Sequence, residues 1–183
     1  MKTRLLTLYA LYLLLSGTTG VLAADKRISP RETVRAEVNG CEITVSYGRP
    51  YTRHPVTGKV RKIWGGLVPY NKIWKMGADN ATVFKTSKTL EVGDSVIPAG
   101  AYSLFMLPLE KGTSKLAINK LPEQMGTSYK EDYDIAHLDL KKDDLEESVD
   151  RFTIAIDKDP AGGGILKFSW EKTQFSLAFK VKE

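Results

Sequence analysis

The sequence predicts an all-β fold: a single antiparallel β-sandwich of about ten short strands, with a β-barrel as the alternative, behind an N-terminal signal peptide. Three observations lead there. Apolar and polar residues alternate with period two along most of the chain. Turn-forming residues interrupt the alternation about every eight to twelve positions. No stretch beyond the N-terminus carries a long helical period.

At the N-terminus, Lys2 and Arg4 precede an apolar run from Leu5 to Leu15. Ser16, Gly17 and the small-residue site Val21-Leu22-Ala23 then lead to Ala24. A positive start, a short apolar run and a small-residue cleavage site make a secretory signal peptide over residues 1–23. A transmembrane helix needs about twenty apolar residues and this run is shorter. The mature chain is therefore expected to begin at Ala24, to keep no transmembrane helix after cleavage, and to work in the periplasm or outside the cell. Residues 24–183 make the one domain expected of this length.

The strands follow in order. Val34, Ala36 and Val38 alternate with Arg35 and Glu37; after Asn39-Gly40, the residues Cys41, Ile43, Val45 and Tyr47 alternate with Glu42, Thr44 and Ser46. Asn-Gly between alternating runs predicts a type I′ hairpin, whose two central positions need positive φ. The same alternation puts Cys41 on an apolar strand face, where a thiol behaves as a small hydrophobe. Residues 48–58 form a loop. Alternation resumes at Ala81 and runs to Thr86, short strands at 90–92 and 95–97 flank Gly93-Asp94, and residues 101–107 are apolar on both faces, as in the middle of a covered sheet. Further strands are expected at 115–119 and 135–140, on either side of a long loop over 121–134. Residues 141–150 are acidic enough to read as an exposed connection, with one helical turn at 144–148 the candidate helix. The C-terminal third predicts three antiparallel strands around Phe152-Ile156, Leu166-Trp170 and Phe175-Val181, the first two joined through Gly162-Gly163-Gly164.

Composition narrows the function. With 42% apolar residues in 183, a core forms without a staple. A single cysteine rules out an intramolecular disulfide and a cysteine-rich zinc site. Loss of Lys2 and Arg4 leaves 25 basic against 22 acidic residues, net +3. No basic block of five or more occurs, which argues against nucleic acid as a partner. His54 and His137 have no spaced metal-binding or catalytic partner; His137 reads as a strand-face residue and His54 as an exposed one. There is no serine-hydrolase elbow, and the triple glycine lacks the Lys-Ser/Thr of a phosphate loop. No catalytic residue, cofactor or metal ligand is assigned, and an enzyme is the less favoured class.

The segment that breaks the β pattern spans residues 61–82. It sets Trp64, Trp74 and Tyr70 among cations, turn glycines and an Asp79-Asn80 pair. Aromatic faces with a few oriented polar groups suit a binding groove on loops held by a rigid scaffold. The candidate ligand-binding residues are Arg49, Lys62, Trp64, Tyr70, Trp74, Lys75, Asp79 and Asn80. A clasp that pins a long loop across the sandwich would use the same residue types.

Ile43-Thr44-Val45-Ser46-Tyr47-Gly48-Arg49-Pro50, the run from Arg61 to Tyr70, the run from Trp74 to Thr82, and Ala99-Gly100-Ala101-Tyr102-Ser103-Leu104 together resemble the signature of a bacterial secreted family, domain of unknown function 2911. The resemblance covers residues 29–181. It implies a predominantly β domain in the Gram-negative envelope and carries no activity with it. Two positions depart from the family pattern. Lys75 stands where the family usually has arginine, which loses a planar bidentate donor. Asn80 stands where it often has glutamate, with an acid one place earlier at Asp79.

Three readings follow. The preferred one is an exported binding module for a carbohydrate or envelope-associated ligand, with Trp64, Tyr70 and Trp74 as platforms. The second is a structural or interaction domain that meets an envelope protein. The third is a hydrolase pairing Asp79 with Asp132 or Asp134, since glycoside hydrolysis needs two carboxylates across a cleft.

Overall fold

The computed structural model describes residues 28–125 and 127–182. The expected signal peptide lies outside the described residues. Among the described residues, ten strands form two antiparallel sheets, and the sheets do not close into a barrel. The first sheet has six strands, in the order β1 (Arg31–Val38), β2 (Cys41–Gly48), β3 (Thr82–Thr86), β6 (Gly100–Leu107), β7 (Lys115–Asn119) and β8 (Asp134–Asp139). The second has four, in the order β5 (Ser95–Ile97), β4 (Leu90–Val92), β10 (Gly164–Val181) and β9 (Lys141–Lys158).

The first hairpin is the expected one. Val38 faces Cys41 across a two-residue turn in which Asn39 and Gly40 have φ of 49° and 68°. Period-two alternation then sets the core: Cys41, Ile43, Val45 and Tyr47 of β2 and Tyr102, Leu104 and Met106 of β6 face Phe152 and Ile154 of β9 and Phe168 and Trp170 of β10. The chain passes from one sheet to the other at Leu140, a buried residue whose N–H bonds Ser114 O at 2.9 Å.

Two expectations are corrected. Residues 141–150 are not a connection but the first half of an 18-residue strand. Their charges are accommodated because β9 is an edge strand with mostly exposed or half-buried positions in that half. The last two expected strands are likewise one strand, β10, also of 18 residues. Buried positions fall on even numbers through Trp170 and on odd numbers from Phe175. A regular strand cannot change face in that way. The change is made by register shifts against β9 on either side of Glu171, which takes φ of 51°, so a β-bulge does what a turn was expected to do.

Candidate functional site

The two tryptophans of the 61–82 segment close one end of the sandwich. Trp74 pairs with Met106 in both directions, N–H to O at 2.7 and 2.8 Å, so it extends the first sheet along β6 where β3 has ended. Met106 faces inward, and its partner does the same: the Trp74 ring stacks on Trp170 at 6.0 Å and meets Phe152 edge-on at 4.9 Å. Trp64 packs against Trp74 at 6.0 Å and Phe175 at 5.2 Å, with its indole N–H directed at Trp170 O at 3.4 Å. Both tryptophans are half-buried and belong to the main core. Tyr70 is also half-buried, and burial first, then the charges of Glu110 and Glu171, pushes its phenol up from the ordinary tyrosine value.

The polar candidates are dispersed around this plug. Arg49 is fully engaged: it pairs with Glu32 and donates to Phe152 O at 3.2 Å and Thr153 Oγ1 at 2.8 Å, which ties β2 to β9. Lys75 donates to Asp79 O at 2.7 Å inside a loop that Thr82 closes by bonding Lys75 O and Met76 O. Asp79 and Lys62 are exposed. Asn80 lies elsewhere, on the outer side of the first sheet, in a hollow with Arg31, Ser46, Val83, Lys85 and Glu123.

Where the 75–82 loop meets β2, two backbones cross at contact distance. Ala78 N–H bonds Gly48 O at 3.3 Å. A Cβ on Gly48 would stand 2.5 Å from Ala78 O, and one on Gly77 would stand 2.8 Å from Gly48 O. Only glycine allows this approach.

A second constellation lies on the outer face of the first sheet. Strand register lines up three rows there: Ser103, Asn119 and Asp134; Phe105, Ala117 and His137; Leu107, Lys115 and Asp139. The 121–134 loop folds over the first two rows, and Tyr129 lies against Phe105 at 4.7 Å. This explains why residues 101–107 are apolar on both faces. Asp134, with 4% of its side chain exposed, anchors the loop. It accepts from Asn119 Nδ2 at 2.7 Å, from the Tyr129 hydroxyl, and at 2.7 Å pairs with His137 Nε2. Burial, followed by the bond to the Asp134 carboxylate, raises the Tyr129 phenol far above the ordinary value, so it stays a donor.

His137 keeps 48% of its side chain exposed. With Nε2 donating to Asp134, a neutral imidazole offers Nδ1 as an acceptor. Beside it opens a groove of about 480 Å³, floored by Leu107 and Ala117, walled by Ile73 and Tyr129, and edged by Lys115, Glu131 and His137. Ile73 comes from the 61–82 segment, one residue before Trp74. The segment therefore contributes to this groove through an aliphatic side chain that was not among the candidates.

Tyr129, His137, Lys115 and Glu131 were also missed. The available signals were the outward-facing Phe105, which needs a cover, and the two tyrosines of a 14-residue loop. No group of three or more histidine, cysteine or acidic residues among the described residues is arranged to hold a metal ion.

The model of a family described as a protein of unknown function, DUF2911, matches residues 29–179. The chain belongs to this family. No curated protein and no solved structure gives a match. In this DUF2911 protein the motifs around Gly48-Arg49-Pro50, Trp64 and Trp74-Thr82 coincide with the backbone crossing, the Arg49 tie and the aromatic plug. The outer-face groove draws all of its lining from outside those motifs.

Proposed function

We propose that this protein is exported and works in the periplasm or outside the cell as a binding module, holding a carbohydrate or another envelope-derived ligand in the outer-face groove. The carrying observation is the groove itself: its volume falls within the range of small-molecule sites, and an apolar floor is combined with a few convergent polar groups. The Tyr129 ring, Leu107 and Ala117 suit the apolar face of a sugar ring. Lys115, Glu131 and His137 suit its hydroxyl groups. Asp134 holds Tyr129 and His137 in fixed orientations, which lowers the ordering cost of binding.

Trp64 and Trp74 serve this reading indirectly. Their rings are spent on closing the sandwich, and Trp74 sets the position of Ile73 at the groove wall. Export follows from residues 1–23, and N-terminal sequencing of the protein recovered from a periplasmic fraction is expected to start at Ala24.

Calorimetric titration with a panel of glycans and peptidoglycan fragments tests the site. The expected result is a saturable signal that Ile73→Glu weakens by about tenfold, the scale of a lost apolar contact plus a misplaced charge. Loss of binding in Trp-preserving groove variants supports the reading. A ligand that binds the Ile73→Glu protein as tightly as the parent overturns it.

A further inference from the structure

The surface segment before the aromatic plug has chemistry that neither the core nor the groove uses. Between Glu42 and Asp79 the chain contains no acidic residue, while it carries Arg49, Arg53, Lys59, Arg61, Lys62, Lys72 and Lys75. Within that stretch a small hairpin projects from the edge of β9. Its base is fixed by Thr52 N–H to Asp150 O at 2.7 Å and Arg61 N–H to Thr52 O at 2.9 Å, and by a pairing of Arg53 with Val60. Its tip is fixed by His54, whose N–H bonds Lys59 O at 2.8 Å and whose Nδ1 accepts from the N–H groups of Val56 and Thr57.

The hairpin is thus ordered, yet it shows its aliphatic side chains to water. Val56 is 77% exposed and Val60 66%; Leu67, on the turn that follows at once, is 46% exposed. Arg53, Lys59 and Lys62 are exposed beside them, and among the described residues none is in an ion pair. Asp150, on β9 at the hairpin base, accepts from Thr52, and Glu110 and Glu171 act on Tyr70 of the following turn. Glu146 and Glu147, further along β9, pair with none of these cations.

We infer that the 53–67 surface docks on an anionic lipid bilayer, with Val56 and Val60 entering the headgroup–acyl boundary while Arg53, Lys59 and Lys62 sit among the lipid phosphates. The combination decides the partner. A soluble polyanion such as nucleic acid or an acidic glycan would engage the cations and leave the valines in water. A bilayer accepts both, because apolar burial and attraction to anionic lipids add in interfacial binding. The two valines give a shallow, reversible attachment, as a few side chains must, and none of the described helices could span the membrane. This surface is separate from the outer-face groove, and its test does not depend on the groove's ligand.

Co-sedimentation of the purified protein with vesicles of phosphatidylcholine, with and without phosphatidylglycerol, tests the inference. Binding is expected only with phosphatidylglycerol and is expected to weaken as salt rises. The double variant Val56→Asp, Val60→Asp should lose at least about tenfold in affinity. Lys59→Glu and Lys62→Glu should each lose about fivefold or more. All four substituted positions are exposed, and matched thermal melts identify any variant that has lost its fold. The inference is overturned if phosphatidylglycerol adds nothing to binding, or if the folded double-valine variant binds as well as the parent. It is equally overturned if dextran sulfate binds the parent and the double-valine variant alike while vesicles bind neither, an outcome that marks a polyanion site.

Discussion

On the outer face, three donors from three segments meet on the buried Asp134 carboxylate. Asp134→Ala takes the acceptor from the Tyr129 hydroxyl and from one Asn119 N–H and should cost about 1–3 kcal/mol of stability, read from urea unfolding. The Tyr129 phenol adds a pH signature. Its raised folded value means that the folded state holds the proton more tightly than the unfolded chain does. Its stabilising contribution is therefore complete below about pH 10, where unfolded tyrosine titrates, and is lost as pH rises through the folded value. Tyr129→Phe should flatten the fall of stability above pH 10, although other tyrosines keep some slope. Glu171 works in the opposite direction at neutral pH. Burial raises its carboxyl above the ordinary value, so its ionisation opposes folding once pH passes the unfolded glutamate value. Glu171→Gln should raise the melting temperature at pH 7 and leave it nearly unchanged at pH 4.

At the scale of elements, the closed end depends on a backbone crossing and an aromatic plug. Gly48→Ala forces a methyl group against the Ala78 carbonyl and should destabilise by about 3 kcal/mol, the scale of a severe overpacking. Trp74→Ala opens a cavity against Phe152 and Trp170 and should cost about 3–5 kcal/mol. How much of this was legible from sequence depended on whether the cause was local. The β1–β2 hairpin was legible because Asn39-Gly40 states its own turn geometry. The run 166–181 was not, because both a turn and a bulge satisfy a change of parity between Trp170 and Phe175, and the choice between them is made by pairing with β9. The strand over 141–150 was hidden for a related reason: an edge strand tolerates charge on most positions, so the alternation that reveals buried strands is faint there. The groove was the least legible element. It is created by register across β6, β7 and β8, which puts His137 beside Ala117 and Phe105, and no sequence spacing encodes that row.

Across the whole molecule the two loops that break the β pattern serve different ends. The 61–82 segment closes the sandwich and sends Ile73 to its outer face; the 121–134 loop covers Phe105 and brings Tyr129 and Glu131 to the same place. Binding on such a scaffold needs little rearrangement, because the floor belongs to the rigid sheet and the walls are tied by Asp134 and by the Trp74–Met106 pairing. The proposed membrane surface would hold the module at a lipid boundary through residues that the groove does not use. The most direct test of the central claim, that the outer-face groove takes the ligand and the tryptophan segment serves as its closure, is amide chemical-shift mapping during titration with the glycan or peptidoglycan fragment found by calorimetry. The perturbed amides should cluster at Ile73, Leu107, Lys115, Ala117, Tyr129 and His137. Perturbations confined to Lys62, Trp64, Tyr70 and Asp79, with the outer face of β7 and β8 silent, would contradict it.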